Sequence, residues 1–61
     1  MSDYTDFDRR EFLYALDESD VEVTDWEAGF IDGVKEEVFY TTRQREKIDQ
    51  LIERYEGRVK W

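Results

Sequence analysis

Carboxylates are the side chains of this sequence with the greatest capacity for chemistry, because 17 Asp and Glu residues stand against nine Lys and Arg residues. The chain has no His and no Cys, which removes the commonest general base, nucleophile and zinc ligands. With so many acids in 61 residues, adjacent carboxylates arise by chance, and so small a core leaves no room for a substrate cavity. We therefore expect a protein that is not an enzyme and needs no cofactor.

The acidic stretch 17–22 has the alternating acids of a calcium-binding loop. Glu22 stands at the sixth position, where such a loop has glycine, and Ala28 stands at the twelfth, where it has a bidentate glutamate. We therefore expect a solvated turn in this stretch and no metal site.

The formal net charge of −8 favours basic partners, and it opposes direct binding to nucleic acid or to anionic membranes. Residues 1–37 carry 13 acids and three bases, whereas residues 38–61 carry four acids and six bases. The chain has no apolar run of membrane-spanning length, and its first residues, Met1-Ser2-Asp3-Tyr4, do not resemble a signal peptide. We expect a cytoplasmic protein with no membrane association.

Threonines mark the starts of three predicted helices. Thr5 is the predicted cap of a helix over residues 6–16. Thr24 and Glu27 form a capping box at the start of the second helix, and Thr41 and Gln44 form another before a helix over residues 42–55. The short turn before Thr41 favours an antiparallel hairpin of the last two helices, with the first helix packed across it. The sequence thus predicts a single all-α domain over residues 1–61, a small three-helix fold with a C-terminal antiparallel helical hairpin.

The predicted core is built from apolar residues at helical spacing. Its members are Phe12, Leu13, Ala15 and Leu16 in the first helix, Trp26, Phe30, Ile31, Val34 and Val38 in the second, and Ile48, Leu51, Ile52 and Tyr55 in the third. Because Trp26 is assigned to the core, Trp26→Ala should lower the stability by about 3–5 kcal/mol.

Asp25, Asp32 and Glu36 recur at i, i+7 and i+11 on the side of the second helix away from its apolar stripe. Such a row of carboxylates could dock on a basic protein surface or imitate a phosphate backbone. The alternative is the ordinary solvated face that every surface helix has.

The third helix sorts its charges by sign. Arg43, Lys47, Arg54 and Arg58 lie on one flank of its apolar stripe, and Glu46, Asp49, Glu53 and Glu56 lie on the other. Segregated flanks are typical of charges that steer pairing between helices of different chains. In the alternative interpretation, the basic flank pairs with acidic residues of the first two helices within one monomer.

The first helix is apolar on two sides, because Tyr4, Phe7, Glu11 and Tyr14 lie opposite its core face. Either these residues contact a second copy in a homodimer, or they expose aromatic anchors to a foreign partner. Because a core this small gives marginal stability without disulfide or metal, we expect a homodimer.

The pattern Trp26-Glu27-x-x-Phe30, followed by Thr41-x-x-Gln44-x-x-x-Ile48-x-x-Leu51, resembles short helical proteins of bacteriophages and prophages. The resemblance covers residues 24–55 and implies a biological setting more than an activity. Small acidic proteins of this kind are often inhibitors that bind a host protein that handles nucleic acid, sometimes by imitating DNA.

These observations favour a phage-type or mobile-element-type interaction protein that docks on a basic, nucleic-acid-binding surface of a larger protein. Asp25, Asp32 and Glu36 would supply charge, and Phe7 and Tyr14 would supply buried anchors. Two alternatives remain. One is a nucleic-acid accessory factor that uses the basic flank with Trp61 for stacking, and the other is a purely structural homo-oligomer.

Overall fold

A computed structural model describes residues 4–61 as three α-helices joined by short connections. Helix α1 spans Asp6–Glu18, α2 spans Asp25–Val34 and α3 spans Thr42–Tyr55. No β-strand occurs within the described residues, so the predicted all-α class is confirmed. The first three residues, on which the expectation of no signal peptide partly depends, lie outside this range. None of the three described helices is long and apolar enough to cross a bilayer.

Each helix begins at a threonine that closes a capping box. The Thr24 hydroxyl accepts from the Glu27 amide at 3.1 Å, and the Glu27 carboxylate accepts from the Thr24 amide at 2.9 Å. Equivalent reciprocal bonds join Thr5 to Asp8 and Thr41 to Gln44. These bonds satisfy amide groups that a helix start otherwise leaves unpaired. The predicted starts are therefore confirmed, whereas α1 continues two residues beyond its predicted end.

The core lies between one face of each helix. Its fully buried side chains come from α1 and α3 and are Phe12, Leu13, Ile48 and Ile52. Helix α2 adds Ile31 and Val34. Two further core residues lie outside the helices, Tyr40 just before α3 and Val59 after it. The connections and the C-terminal segment therefore complete a core that three short helices alone would leave open.

Helices α1 and α3 form the principal helix pair of the described fold. The predicted C-terminal hairpin of α2 and α3 is not confirmed, because α2 approaches the other helices less closely. Two ion pairs join the principal pair: Arg9 to Asp49 at 2.7 Å, and Arg45 to Asp6 at 2.9 Å. Charged groups thus border the apolar contact between these two helices.

Two residues assigned to the core of the second helix are exposed. Trp26 is 60% exposed, and Val38 lies in the connection after α2 with its side chain in solvent. The cause at Trp26 is the rotation of α2 about its axis, which turns Glu27, Ile31 and Val34 inward. Since successive helical residues are about 100° apart, Trp26 then falls on the flank of the helix.

Candidate interaction surfaces

Three exposed carboxylates, Asp25, Asp32 and Glu36, form what we call the acidic face. Asp25 and Asp32 lie in α2, whereas Glu36 lies in the turn that follows the helix. The Asp32 side chain is 78% exposed, although the ammonium of Lys35 lies 3.5 Å from its Oδ1 atom. Lys35 makes its shorter ion pair, 2.8 Å, with Asp17 of α1. All three predicted acids are therefore accessible to a partner.

The inward-turned Glu27 holds α2 in this orientation. Its carboxylate accepts a hydrogen bond from the Tyr55 hydroxyl at 2.7 Å, in addition to the bond from the Thr24 amide. Burial alone would raise the pKa of Glu27, but the bonds from Thr24 and Tyr55, with the nearby charge of Arg54, lower it below its ordinary value of 4.5. A charged group thus anchors the rotation that exposes the acidic face.

Trp26 and Phe30 form a stacked aromatic pair on the flank of α2 that faces α3. Their ring centroids are 5.3 Å apart and their planes differ by 7°. The ammonium of Lys47 lies 5.7 Å from the Trp26 ring centroid. A cleft of about 340 Å³ lies beside Trp26, with Gln50 and Leu51 in its wall. Trp26 therefore combines a large exposed apolar surface with a neighbouring cation.

Phe7, Arg10, Glu11 and Tyr14 form the outer face of α1. Phe7 is 61% exposed and Tyr14 is 44% exposed, and Glu11 is also in solvent, as predicted for these three. The fourth predicted contact residue, Tyr4, precedes the helix and packs partly against the core. Its ring lies 6.2 Å from the Trp61 ring, and its hydroxyl donates to Glu56 at 3.3 Å. Tyr4 is thus not part of the outer face.

Trp61 borders the outer face of α1 at the C-terminal end of the chain. Its ring meets Phe12 edge-on, with centroids 5.1 Å apart. A cleft of about 420 Å³ lies between Trp61, Tyr14 and the side chains of Arg10 and Glu11. Within residues 4–61 the ring contacts of Trp61 are with Phe12 of α1 and with Tyr4, whereas the nucleic-acid hypothesis had used it together with the basic flank for stacking.

The basic flank of α3 consists of Arg43, Lys47, Arg54 and Arg58, all exposed. Arg54 lies 3.4 Å from the Glu27 carboxylate, and Lys47 lies over Trp26, so this flank faces α2. On the opposite flank Asp49 pairs with Arg9 of α1. At these positions the basic flank of α3 thus interacts with α2, and the acidic flank interacts with α1, within one monomer. Arg43 and Arg58 make no ion pair within residues 4–61.

Arg9 was missing from the candidate residues predicted from the sequence, and Asp49 was named there only as part of the acidic flank of the third helix. Arg9 is buried, and its guanidinium bonds both oxygens of Asp49, at 2.7 and 3.1 Å, and Asp6 at 2.7 Å. Hydrogen bonds from Arg45 and Arg9 hold the pKa of Asp6 below its ordinary value despite partial burial. The sequence did contain a sign that Arg9 is buried, because it precedes the buried residues Phe12, Leu13 and Leu16 by three, four and seven positions and therefore lies on the same face of α1.

Within residues 4–61, no three acidic side chains converge to form a site for a metal ion. No protein-family model, curated protein or solved structure matches the chain. The resemblance to phage proteins therefore stays a prediction, and the surfaces described above are the basis for a functional proposal.

Proposed function

We propose that this chain is a small, non-catalytic interaction protein of the bacteriophage or mobile-element type. Its acidic face docks on a basic surface of a larger protein that binds nucleic acid. By occupying that surface the protein acts as an inhibitor, with carboxylates in the place of phosphates. The proposal includes a cytoplasmic location, where such a partner would be met.

The observation that supports this proposal best is the exposed Trp26, which lies about 100° around α2 from Asp25, on the flank between the acidic face and α3. Tryptophan is among the commonest residues to dominate binding energy, and it does so at positions that become fully desolvated. Complementary charge mainly accelerates and orients association. We therefore assign the anchoring role to Trp26, since Phe7 and Tyr14 belong to a different helix.

Charge supports the choice of a basic partner. The chain carries a net charge of −8, and 13 of its 17 acids lie in residues 1–37. The acids of the acidic face remain exposed, so they are available to lysines and arginines of another protein. A surface that binds nucleic acid supplies such bases, because its affinity rests on contacts with phosphates.

The test begins with capture of partners by the immobilised protein from a DNase-treated bacterial lysate, followed by purification of the captured protein. Binding of that purified protein to duplex DNA is then titrated with the wild-type chain. We expect competitive inhibition of DNA binding. The triple variant Asp25→Lys, Asp32→Lys, Glu36→Lys should lose the inhibition, and Trp26→Ala should weaken it.

A matched control separates the acidic face from net charge. The triple variant Glu18→Lys, Glu46→Lys, Glu53→Lys makes the same change in charge at exposed acids elsewhere. It should inhibit nearly as well as the wild type. Equal loss of inhibition by both triple variants would contradict a localised docking face, and a partner with no affinity for nucleic acid would contradict the inhibitor proposal.

A second candidate, a nucleic-acid accessory factor, is favoured by one observation. The ammonium of Lys47 lies 5.7 Å from the exposed Trp26 ring, so the basic flank has an aromatic neighbour that could stack with a base. The net charge opposes this function, and a direct binding experiment described below distinguishes it from the first.

A further inference from the structure

The outer face of α1 has a symmetric order of residue types. Aromatic residues stand at Phe7 and Tyr14, and two opposite charges, Arg10 and Glu11, stand between them. Phe7 and Tyr14 are equidistant from the midpoint between Arg10 and Glu11. All four lie in one helix, and Phe7, Glu11 and Tyr14 are exposed.

From this pattern we infer that α1 pairs with α1 of a second copy in an antiparallel, two-fold symmetric dimer. In a two-fold interface each contact occurs twice, with the roles of the two chains exchanged. A register centred between Arg10 and Glu11 places Arg10 against the second copy's Glu11. The same register places Phe7 against the second copy's Tyr14.

The cleft beside Trp61 fits this register. It lies next to Tyr14 and has a volume of about 420 Å³, with Arg10 and Glu11 at its edge. In the dimer the second copy's Phe7 approaches Tyr14 and enters this cleft. Two such insertions bury four aromatic residues besides the two Trp61 rings, and aromatic rings bury large apolar areas.

Arg10 is already held in place for the pairing. Its Nη2 atom donates to the carbonyl oxygens of Glu37 at 2.7 Å and of Val38 at 3.3 Å. An arginine has five N–H donors, so the guanidinium can also serve a carboxylate from a second copy. Because Arg10 binds the connection after α2, it also keeps the exposed Val38 near the same surface.

A second copy suits this face better than a basic protein. Arg10 and Glu11 together carry no net charge, so the face offers no electrostatic preference for a basic partner. A second copy that presents the same face in the reverse direction supplies the complement of each charge. A core of this size also gains from association, because small domains without disulfide or metal have little stability to spare.

The test exchanges the central charges and measures association by sedimentation equilibrium. Glu11→Arg produces a chain with two arginines at the centre, and Arg10→Glu produces a chain with two glutamates. Each variant alone should dimerise about tenfold more weakly than the wild type, or worse, because like charges meet. An equimolar mixture should recover dimers, since each arginine then meets a glutamate.

Control variants make the same changes away from the face. Glu53→Arg and Arg43→Glu alter exposed residues of α3 and should leave dimerisation within about twofold of the wild type. A wild-type chain that stays monomeric at high micromolar concentration would overturn the inference. Failure of the mixture to recover dimers, with both variants shown to be folded by circular dichroism, would overturn the register.

A crosslinking experiment tests the register even if Arg10→Glu does not fold. The chain has no cysteine, so Phe7→Cys and Tyr14→Cys variants each carry one thiol. Mixed and oxidised, they should form mainly the 7–14 heterodimer disulfide, because this register brings those positions together. Each variant oxidised alone should crosslink poorly, since its two thiols lie on opposite sides of the two-fold axis. Predominant 7–7 or 14–14 crosslinking would contradict the antiparallel register.

The inference is independent of the proposed function, because the acidic face and Trp26 lie on α2 and on the turn that follows it. Loss of dimerisation in the α1 variants with retained inhibition of DNA binding would support both. Dimerisation of the wild-type chain with no inhibition of DNA binding would contradict only the proposed function.

Discussion

The Tyr55 hydroxyl donates a 2.7 Å hydrogen bond to the buried carboxylate of Glu27, joining α3 to the first turn of α2. Glu27 also closes the capping box with Thr24, so one carboxylate fixes both where α2 begins and which side of it faces the core. With this contact between residues 28 positions apart, Glu27 faces the core together with Ile31 and Val34, and Trp26 lies exposed on the flank of α2.

Tyr55→Phe should lower the free energy of unfolding by about 1.5–3 kcal/mol, because it removes a hydrogen bond to a charged group that stays buried. Urea denaturation followed by circular dichroism measures the change. Tyr40→Phe is the matched control, since the Tyr40 hydroxyl is buried but makes no hydrogen bond to a carboxylate among residues 4–61. It should be neutral or slightly stabilising, and equal losses for the two variants would contradict the role of the Glu27 bond.

The bond network of Glu27 should make stability depend on pH. Its folded-state pKa is lower than its ordinary value of 4.5, so the unfolded chain takes up a proton more readily than the folded one. The stabilisation is therefore present above about pH 4.5 and is lost as the pH falls through the folded-state pKa. The stability difference between wild type and Glu27→Gln should be largest at pH 7 and shrink below pH 4.5. Glu53→Gln, at an exposed position, provides the control. A stability difference between wild type and Glu27→Gln that grows on acidification would contradict the lowered pKa of Glu27.

Trp26→Ala should cost about 1 kcal/mol, from loss of the stacking on Phe30 and the contact with Lys47. The core truncation Phe12→Ala should cost about 3–5 kcal/mol instead. Thermal or urea unfolding of the two variants, side by side, measures the contrast. A loss at Trp26 as large as that at Phe12 would mean that the tryptophan is buried in solution, as the apolar spacing had suggested.

Asp49→Asn should destabilise the protein by about 2–3 kcal/mol, because Arg9 would keep a buried charge with fewer partners. Asp32→Asn makes the same chemical change at a side chain that is 78% exposed, and it should alter stability by less than about 0.5 kcal/mol. Urea denaturation of both variants measures the two changes in the free energy of unfolding. Similar small effects would show that the Arg9–Asp49 pair contributes little.

The wild-type chain should have no measurable affinity for duplex or single-stranded DNA at physiological salt, as its net charge predicts. Fluorescence anisotropy with labelled oligonucleotides is the measurement. Binding that weakens with salt at a slope of about −0.7 per neutralised phosphate of single-stranded DNA would favour the accessory-factor function. Loss of that binding on reversal of Arg43, Lys47, Arg54 and Arg58 would then locate the site on the basic flank.

The features that the sequence predicted correctly depend on residues only a few positions apart in the chain. The threonine caps, the three helices and the inner face of α3 follow from spacing within single helices, and the structure confirms them. The sequence also predicted the exposure of Phe7 and Tyr14, because the opposite side of α1 is so clearly apolar.

The remaining features depend on contacts between distant parts of the chain. Periodicity placed Trp26 in the core, because the rotation of α2 about its axis depends on long-range contacts such as the bond from Tyr55 to Glu27, which spacing along the chain does not reveal. Tyr40 and Val59 lie outside the helices, where no periodic pattern marks them as buried. Arg9 was overlooked because a charged residue on a core face is unusual unless it is paired.

The threonine capping boxes also have a consequence for folding kinetics. Each box joins residues only three positions apart, so the helix boundaries can form before any long loop has closed. Folding of helical domains rich in such local contacts takes microseconds to milliseconds. The chain has no proline, so refolding has no slow phase from prolyl isomerisation. The three-helix domain should thus fold, with the acidic face and the outer face of α1 in solvent, within about milliseconds.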